Sequence, residues 1–337
     1  GHWDHYRDGM YPPMRIGAEE VLLRPSLCPH HAVIFRSRSR SYRELPLRIA
    51  ELGGQYRSEL SGVLGGLTRV RSIQLNDGHI FCTLDQVEAE VAASLAMIRG
   101  AYRDLGIEPA RYRLSLASRG AKYVGSDEIW AQATEILRNA LAHAGLHYEE
   151  EEGEAAFYGP KIDIQIEDTS EREASLSTIQ VDFYQPERFG LTYIGQDGAK
   201  HRPVMVHRSV IGGLERLVAH LIEIHEGAFP PWYAPTQLAI LPVSDAQEDA
   251  ALTVAEAATA AGLRVEMVAP DESLAARIRA KRLVPYLAIV GAREVEAKAM
   301  SVRVRDGRQL PMVPTEEALA KILARVRSRS HELWPVS

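Results

Sequence analysis

Cysteine is nearly absent: Cys28 and Cys82 are the two thiols among 337 residues, too few for a disulfide framework. A thiol here is buried filler or a metal ligand. No run of about eighteen apolar residues is long enough to cross a bilayer, and no charged-then-apolar leader opens the chain. The cytoplasm is therefore the expected location, with no membrane partner. Charge of neither sign dominates, since the net charge is only -6. Overall charge thus gives no sign of nucleic-acid binding, although a local basic patch stays open, with Arg plentiful from Ile34 to Arg57 and again toward the C-terminus.

What is present is the composition of a globular protein, 46% hydrophobic and 25% charged, on a chain too long for one ordinary core. The Pro-rich segment FPPWYAPTQ marks the predicted boundary between two domains, 1–233 and 234–337. The opening GHWDHYRDGMYPP, aromatic- and His-rich without an initiator Met, reads as the interior of a longer protein. A strand near Val21 is expected to lead into a turn bearing Cys28 and then a short helix. Thr83 caps the helical pattern LDQVEAEVAASLAMIRGAYRDLG, acidic early and basic late as the helix dipole prefers. Ser126 opens a second helix with an apolar stripe through Ile129, Ile136, Leu137 and Leu141. Strand-like runs follow around Ile162 to Ile166, Ser177 to Phe183 and Leu191 to Ile194, and their spacing predicts antiparallel pairing in an α+β domain. PVMVHRSVIGGLERLVAHLIEIHEG adds a short strand with His207, a Gly pair and an amphipathic helix bearing Arg216. Beyond the prolines, strands alternate with helices, which predicts a small, mostly parallel α/β domain of about a hundred residues.

The chemistry-bearing residues gather around one stretch, Glu51 to Cys82, where two strand-like runs flank a Gly-rich loop. Arg57, Glu59, Arg69 and Arg71 surround the loop, with Asp77 and His79 beyond it. Guanidinium groups meet phosphate oxygens bidentately, and a carboxylate accepts from an exocyclic amine, so the group is a candidate holder for a nucleoside triphosphate. The plainer alternative is a solvated charged hairpin. FYGPKIDI sets Tyr158 and Lys161 about a Gly-Pro turn at a strand entry, where they either aim into a pocket or anchor the surface. At GGLER, Gly212 and Gly213 permit close backbone approach, and Arg216 either covers a base or phosphate or is an exposed helix arginine.

Cys28, His79 and His207 are expected beside turns or at strand ends in three separate parts of the first domain. One thiolate and two imidazoles suit Zn2+, and three protein ligands leave a position for substrate. With twelve His in the chain, a buried thiol and two unrelated imidazoles remain the alternative. Cys82, inside the apolar HIFC run, reads as core.

The order YRSE, loop, RVR, DGHIFC, AFYGPKID, TIQVDF, VMVHRSVIGGLERL and an α/β tail closely resembles the threonyl-tRNA synthetases, class II enzymes, over essentially the whole chain. The resemblance implies an α+β fold, in which a class II antiparallel sheet flanked by helices precedes a small α/β anticodon-binding domain. It implies that Cys28, His79 and His207 hold one Zn2+ that takes the amino and hydroxyl groups of threonine. Arg57 matches the arginine on the substrate carboxylate and α-phosphate, Glu59 the reader of the adenine amine, Arg69 a further ATP-binding arginine, and Arg216 the arginine against adenine and triphosphate. Asp77, Tyr158, Lys161 and Gln180 match residues around the amino acid or adenylate, and His2 a histidine near the tRNA 3′ end. Arg57, Arg216, Lys161 and His2 are thereby the implied catalytic residues, and Glu296 and Arg305 the implied anticodon contacts.

The implied reaction is attack of the threonine carboxylate on the α-phosphorus of ATP, with Arg57, Arg216 and Mg2+ offsetting the charge of an in-line displacement, followed by transfer to tRNA-Thr. Several positions depart from the family pattern. Ile73 stands where an aromatic stacks on adenine, Leu75 where a glutamine lies near the amino acid, and SLST from Ser175 where the family has QCGT. Gly213 replaces a serine, and Asp271 and Ser273 replace an Asn and a Lys in the tail. A lost stacking partner weakens nucleotide binding and a lost Lys removes a phosphate or base contact. The dimer-forming motif 1 is expected to precede Gly1, with a homodimer expected of the full-length protein, and the editing domain that removes mischarged serine is not recognised in these residues. The departures keep open a diverged paralogue that forms an adenylate but uses another amino acid or acceptor. A non-catalytic tRNA-binding protein is the third reading.

Overall fold

The computed structural model describes residues 7–118 and 123–334, so the expected site residue His2 lies outside the described part. The chain divides into two units, Gly1–His220 and Leu221–Ser337. In the first, β1 (Met14–Ile16) and β2 (Glu19–Val21) form a hairpin ahead of α1 (Cys28–Arg36). Strands β3 (Leu47–Tyr56) and β4 (Ser72–Cys82) flank the Gly-rich loop, and α2 (Val87–Leu105), β5 (Arg111–Leu116), α3 (Asp127–His143) and β6 (Tyr148–Glu152) follow. The unit continues with β7 (Lys161–Glu167), β8 (Glu173–Asp182), α4 (Tyr184–Arg188), the two-residue strands β9 (Tyr193–Ile194) and β10 (Lys200–His201) and β11 (Val204–Ser209), and the division between the units falls within α5 (Leu214–Ile224).

Seven of these strands form one sheet in the order β3-β4-β11-β8-β7-β5-β6. Every pairing is antiparallel except that of β5 with β6, so the expected antiparallel α+β architecture holds. The run at Leu191 to Ile194 contributes only β9, which pairs with β10 outside the main sheet. A 3-10 turn at Leu84–Gln86, where the Thr83 N–H donates to the Gln86 side chain at 3.1 Å, leads into helix α2, which ends at Gly106 in the left-handed conformation. It buries Val91, Leu95, Ile98 and Tyr102. Ser126 caps α3, accepting from the Ile129 N–H at 3.4 Å. The buried stripe of α3 runs through Ala133, Leu137, Ala140 and Leu141, whereas Ile129, expected within it, is exposed.

Cys28 is not in a turn, as the sequence suggested, but is the first residue of α1, with Pro29 in the first turn where a missing N–H costs nothing. Cys28, His31, Ala32 and Phe35 are the buried residues of that helix, spaced i, i+3, i+4 and i+7. Phe35 anchors them by stacking on Phe81 of β4, ring centroids 4.6 Å apart. The buried Arg40 guanidinium donates to the carbonyls of Phe35 at 3.0 Å and Ile34 at 3.2 Å, satisfying the open C-terminal end of α1.

In the second unit, β12 (Leu238–Pro242), α6 (Glu248–Ala260), β13 (Val265–Met267), α7 (Leu274–Ala280) and β14 (Tyr286–Val290) are followed by α8 (Ala292–Ala297), β15 (Ala299–Val304), β16 (Val313–Pro314) and α9 (Thr315–Arg327). The sheet order is β13-β12-β14-β15-β16. β12 is parallel to both β13 and β14, but β15 returns antiparallel to β14 and pairs antiparallel with β16. The mostly parallel sheet expected is therefore a mixed one, because a tight turn at α8 brings the chain straight back. Leu238, Ile240, Tyr286, Ala288, Val302 and Ile322 centre its core. Among the described residues no helix is long and apolar enough to cross a membrane.

Candidate active site

Side chains two apart on a strand share a face, and one face of the large sheet collects nearly all the singled-out residues. On β4 it carries Ile73, Leu75, Asp77 and His79; on β11, His207 and Ser209; on β8, Gln180 and Asp182; on β7, Lys161 and Asp163. Register aligns them, since His207 lies opposite both His79 and Gln180, and Gln180 lies opposite Lys161. His79 and His207 are thus within strands that pair side by side, not at the strand ends expected. A cavity of about 380 Å³ opens along this face and is lined by Cys28, Asp77, Tyr158, Lys161, Gln180 and His207 at one part and by Arg57, Glu59, Arg69, Ile73 and Arg216 at another.

The thiol of Cys28 and one ring nitrogen each of His79 and His207 lie within 4.8 Å of one another, and all three residues are buried. Cys28 Sγ is 3.5 Å from His207 Nδ1, the spacing of roughly 3.3–3.7 Å that a tetrahedral zinc sets between its ligand atoms. Nε2 of His207 donates to Oδ2 of Asp182 at 2.8 Å, so when the ring is neutral its Nδ1 lone pair faces the sulfur. Burial would lower His207, but the Cys28 sulfur and the Asp182 carboxylate outweigh it and raise the group to about 10. The surroundings therefore call for positive charge at that point. One sulfur and two imidazoles, enclosed and electronegative, fit Zn2+ with an open side toward the cavity. Burial also lifts the Asp77 carboxyl to about 6, and drives the Tyr158 phenol well above its ordinary range. The Tyr158 ring stacks on His207, centroids 5.0 Å apart, and its hydroxyl donates to Gln180 Oε1.

At the other part of the cavity three guanidinium groups converge. Arg216 is pushed below its usual range by burial and by the charges of Arg57 and Arg69, a mutual repulsion that an anion relieves. Its own geometry is fixed, because it donates to the Thr68 carbonyl at 3.1 Å and the Ser175 carbonyl at 2.6 Å. Arg69 donates to Glu59 at 3.0 Å, an ion pair that ties the two arms of a loop exposed from Leu60 to Arg69. Gly212, at φ +65, lies so close to β8 that a Cβ there would stand 2.2 Å from the Leu176 carbonyl oxygen. That glycine lets α5 enter against the sheet, and Glu215 at the helix start accepts from the Gln74 N–H at 3.1 Å. Lys161 is oriented by Asp163 at 2.8 Å, a buried carboxylate that also receives Arg113 at 3.1 Å and Ser115 at 2.7 Å.

The structure thus brings Cys28, Arg57, Glu59, Arg69, Asp77, His79, Tyr158, Lys161, Gln180, His207 and Arg216 to one site. Glu296 and Arg305 belong to the second unit, where Glu296 is exposed on α8 and Arg305 donates to the Phe229 carbonyl at 2.8 Å and the Leu283 carbonyl at 3.0 Å. Asp271 is exposed, and Ser273 caps α7, accepting from the Ala276 N–H at 3.3 Å. Sequence reasoning missed His31, Glu51, Asp163 and Asp182. His31 shares the buried stripe of Cys28, and Asp182 alternates with Gln180, so helical and strand periods carried both signals.

Comparison with known proteins places this geometry. Residues 14–225 match the tRNA synthetase class II core domain (G, H, P, S and T), and residues 237–325 match an anticodon binding domain. The solved RNA binding domain of threonyl-tRNA synthetase from Cryptosporidium parvum superposes with a TM-score of 0.89 at 33% identity, covering 100% of this chain and 82% of that one. The chain belongs to the threonyl-tRNA synthetase family. Two threonine–tRNA ligases, from Geobacillus sp. and Bacillus subtilis, are 46% and 45% identical over 97% of the chain. The chain spans 52% of the length of each of these relatives. Within the synthetase family, the departures at Ile73 and Leu75 line the cavity itself.

Proposed function

We propose that this chain carries the chemistry of a threonine–tRNA ligase, activating threonine with ATP in 1–233 and engaging tRNA-Thr through 234–337. The observation that carries the reading is the joining, on one sheet face, of a sulfur-and-imidazole donor set with three converging guanidinium groups. Cys28, His79 and His207 would hold one Zn2+, which when bound supplies a Lewis acid that accepts the amino and hydroxyl groups of threonine but has nothing to gain from the methyl of valine.

The residues of the chain do the rest. Asp77, which lines the cavity, accepts from the substrate amino group, and Tyr158, kept protonated by its burial, donates and holds Gln180 in place. Arg57 orients the substrate carboxylate toward the α-phosphorus, while Arg216 and Arg69 face the phosphates that accompany Mg2+. Attack forms the carboxylate–phosphorus bond and breaks the bond to pyrophosphate, and the fixed guanidinium groups offset charge on the phosphoryl oxygens without reorganising. Glu59 accepts from the adenine amine.

A second reading, a diverged paralogue with another amino acid or acceptor, draws on Ile73 and Leu75, apolar residues where the family carries an aromatic and a glutamine. Amino-acid-dependent exchange of pyrophosphate into ATP, run with threonine, serine and valine, tests the first reading: exchange with threonine and not valine is expected. Charging of a tRNA-Thr transcript then separates the two. Adenylate formation without charging would favour the paralogue, and no exchange with any amino acid would overturn both.

A further inference from the structure

His79 is held from behind by two residues outside the donor set. Its Nδ1 lies 2.7 Å from Nδ1 of His31, and Nε2 of His31 lies 3.3 Å from Oε1 of Glu51. The two rings meet edge to face with centroids 4.8 Å apart, and His31 is 2% and His79 0% exposed. Glu51 is partly open to solvent, and Arg24 Nη1 stands 3.4 Å from the same carboxylate oxygen.

This chain of contacts has one consistent proton assignment for neutral rings. A carboxylate only accepts, so His31 Nε2 donates to Glu51. His31 then offers a lone pair at Nδ1, and His79 Nδ1 donates to it. The lone pair of His79 is thereby on Nε2, the atom 3.9 Å from Asp77 Oδ2, and Asp77 lines the cavity.

We infer that Glu51 and His31 act as a positioning relay that fixes the tautomer and ring angle of His79 and thereby sets its affinity for zinc. The inference rests on the zinc reading above. His207 has the equivalent support directly from Asp182. Each imidazole of the donor set is thus backed by a carboxylate, one at first hand and one through a second imidazole.

The test is zinc affinity without substrate, by chelator competition on the purified chain, together with the visible spectrum of the cobalt-substituted protein and thermal unfolding of the metal-free forms. Cys28→Ala is expected to abolish tight binding. His31→Leu is expected to weaken zinc by about 10–100-fold and to alter the cobalt bands. His31→Asn, whose Oδ1 can accept the His79 Nδ1–H, recovers most of the affinity and the wild-type spectrum. Glu51→Leu weakens zinc in the same sense and Glu51→Gln, which keeps an acceptor, does not. The Glu51 pair decides if His31→Leu fails to fold. Wild-type affinity in His31→Leu or Glu51→Leu, or equal loss in His31→Leu and His31→Asn, overturns the relay with zinc binding intact. Wild-type protein that binds zinc no better than Cys28→Ala overturns the zinc reading, and the relay with it.

Discussion

His79 and His207 lie directly opposite each other on adjacent antiparallel strands, with their rings edge to face and centroids 4.7 Å apart. Register alone therefore converts two histidines remote in sequence into neighbours on one face. Because the side-chain period of a strand is two, a slip of one residue between β4 and β11 would send one ring to the opposite face. Helix α1, anchored by Phe35 on Phe81, then delivers Cys28 to the same point. The Cys28, His79 and His207 cluster is a product of sheet register and one helix contact, not of any local motif.

Arg216 is held by the carbonyls of Thr68 and Ser175, a geometry that needs a planar fork. Arg216→Ala should lower kcat/KM for ATP in pyrophosphate exchange by about 10²–10³-fold, the cost of losing one preorganised charge donor. Arg216→Lys should recover little of it, since an ammonium cannot hold two carbonyls and face an anion. Zinc content should be unchanged in both. Full activity in the Lys variant would contradict the role.

Ile73 and Gly213 are sterically linked. A Cβ at Gly213 would stand 2.9 Å from Ile73 Cγ2, so the serine of the family pattern does not fit beside this isoleucine without movement. Gly213→Ala should cost about 1–3 kcal/mol in denaturant unfolding, and much less in an Ile73→Ala background. A double-mutant cycle should return a coupling of about 1 kcal/mol. A coupling near zero would contradict the steric link.

Ser273, standing where the family has a lysine, caps α7. Both Ser273→Ala and Ser273→Lys should lower the stability of the second unit by about 1 kcal/mol, while Ser273→Asp should leave it unchanged. Chemical denaturation of the three variants checks this, and an unaffected Lys variant would refute the capping account.

Cys82 is fully buried, and burial pushes its thiol up from 9.0 to about 12. The folded state thus holds the proton more tightly than the unfolded chain does. Stability from this group is intact below pH 9 and is lost as pH rises toward 12. Urea midpoints measured from pH 8 to 10.5 should fall less steeply for Cys82→Ala than for wild type. Parallel slopes would show that other groups carry the alkaline loss.

How much of this was legible in the sequence depends on the period of each segment. Thr83 and Ser126 announced their helices because capping residues precede clean helical patterns. Strands β5 and β6 went unread: RYRLSL does alternate, with Tyr112, Leu114 and Leu116 at every second position, and was overlooked, whereas YEEEE has no apolar residue after Tyr148, since β6 is a charged edge strand exposed or half-buried along its length. The motif arginines and the donor residues could be named one by one, but not their convergence, which is set by the order β4-β11-β8-β7. His31 and Glu51 stayed hidden because each supports another residue, and neither has a spacing that marks chemistry unless the stripe of α1 and the face of β3 are drawn.

Zinc-dependent discrimination between threonine and valine tests the central claim most directly. Pyrophosphate exchange would be followed in the native protein, after chelation, and after restoring zinc. The account predicts exchange with threonine and not with valine, its loss on chelation, its return with zinc, and its absence in Cys28→Ala under every condition. Threonine-dependent exchange that survives chelation, or that persists in Cys28→Ala, would contradict it.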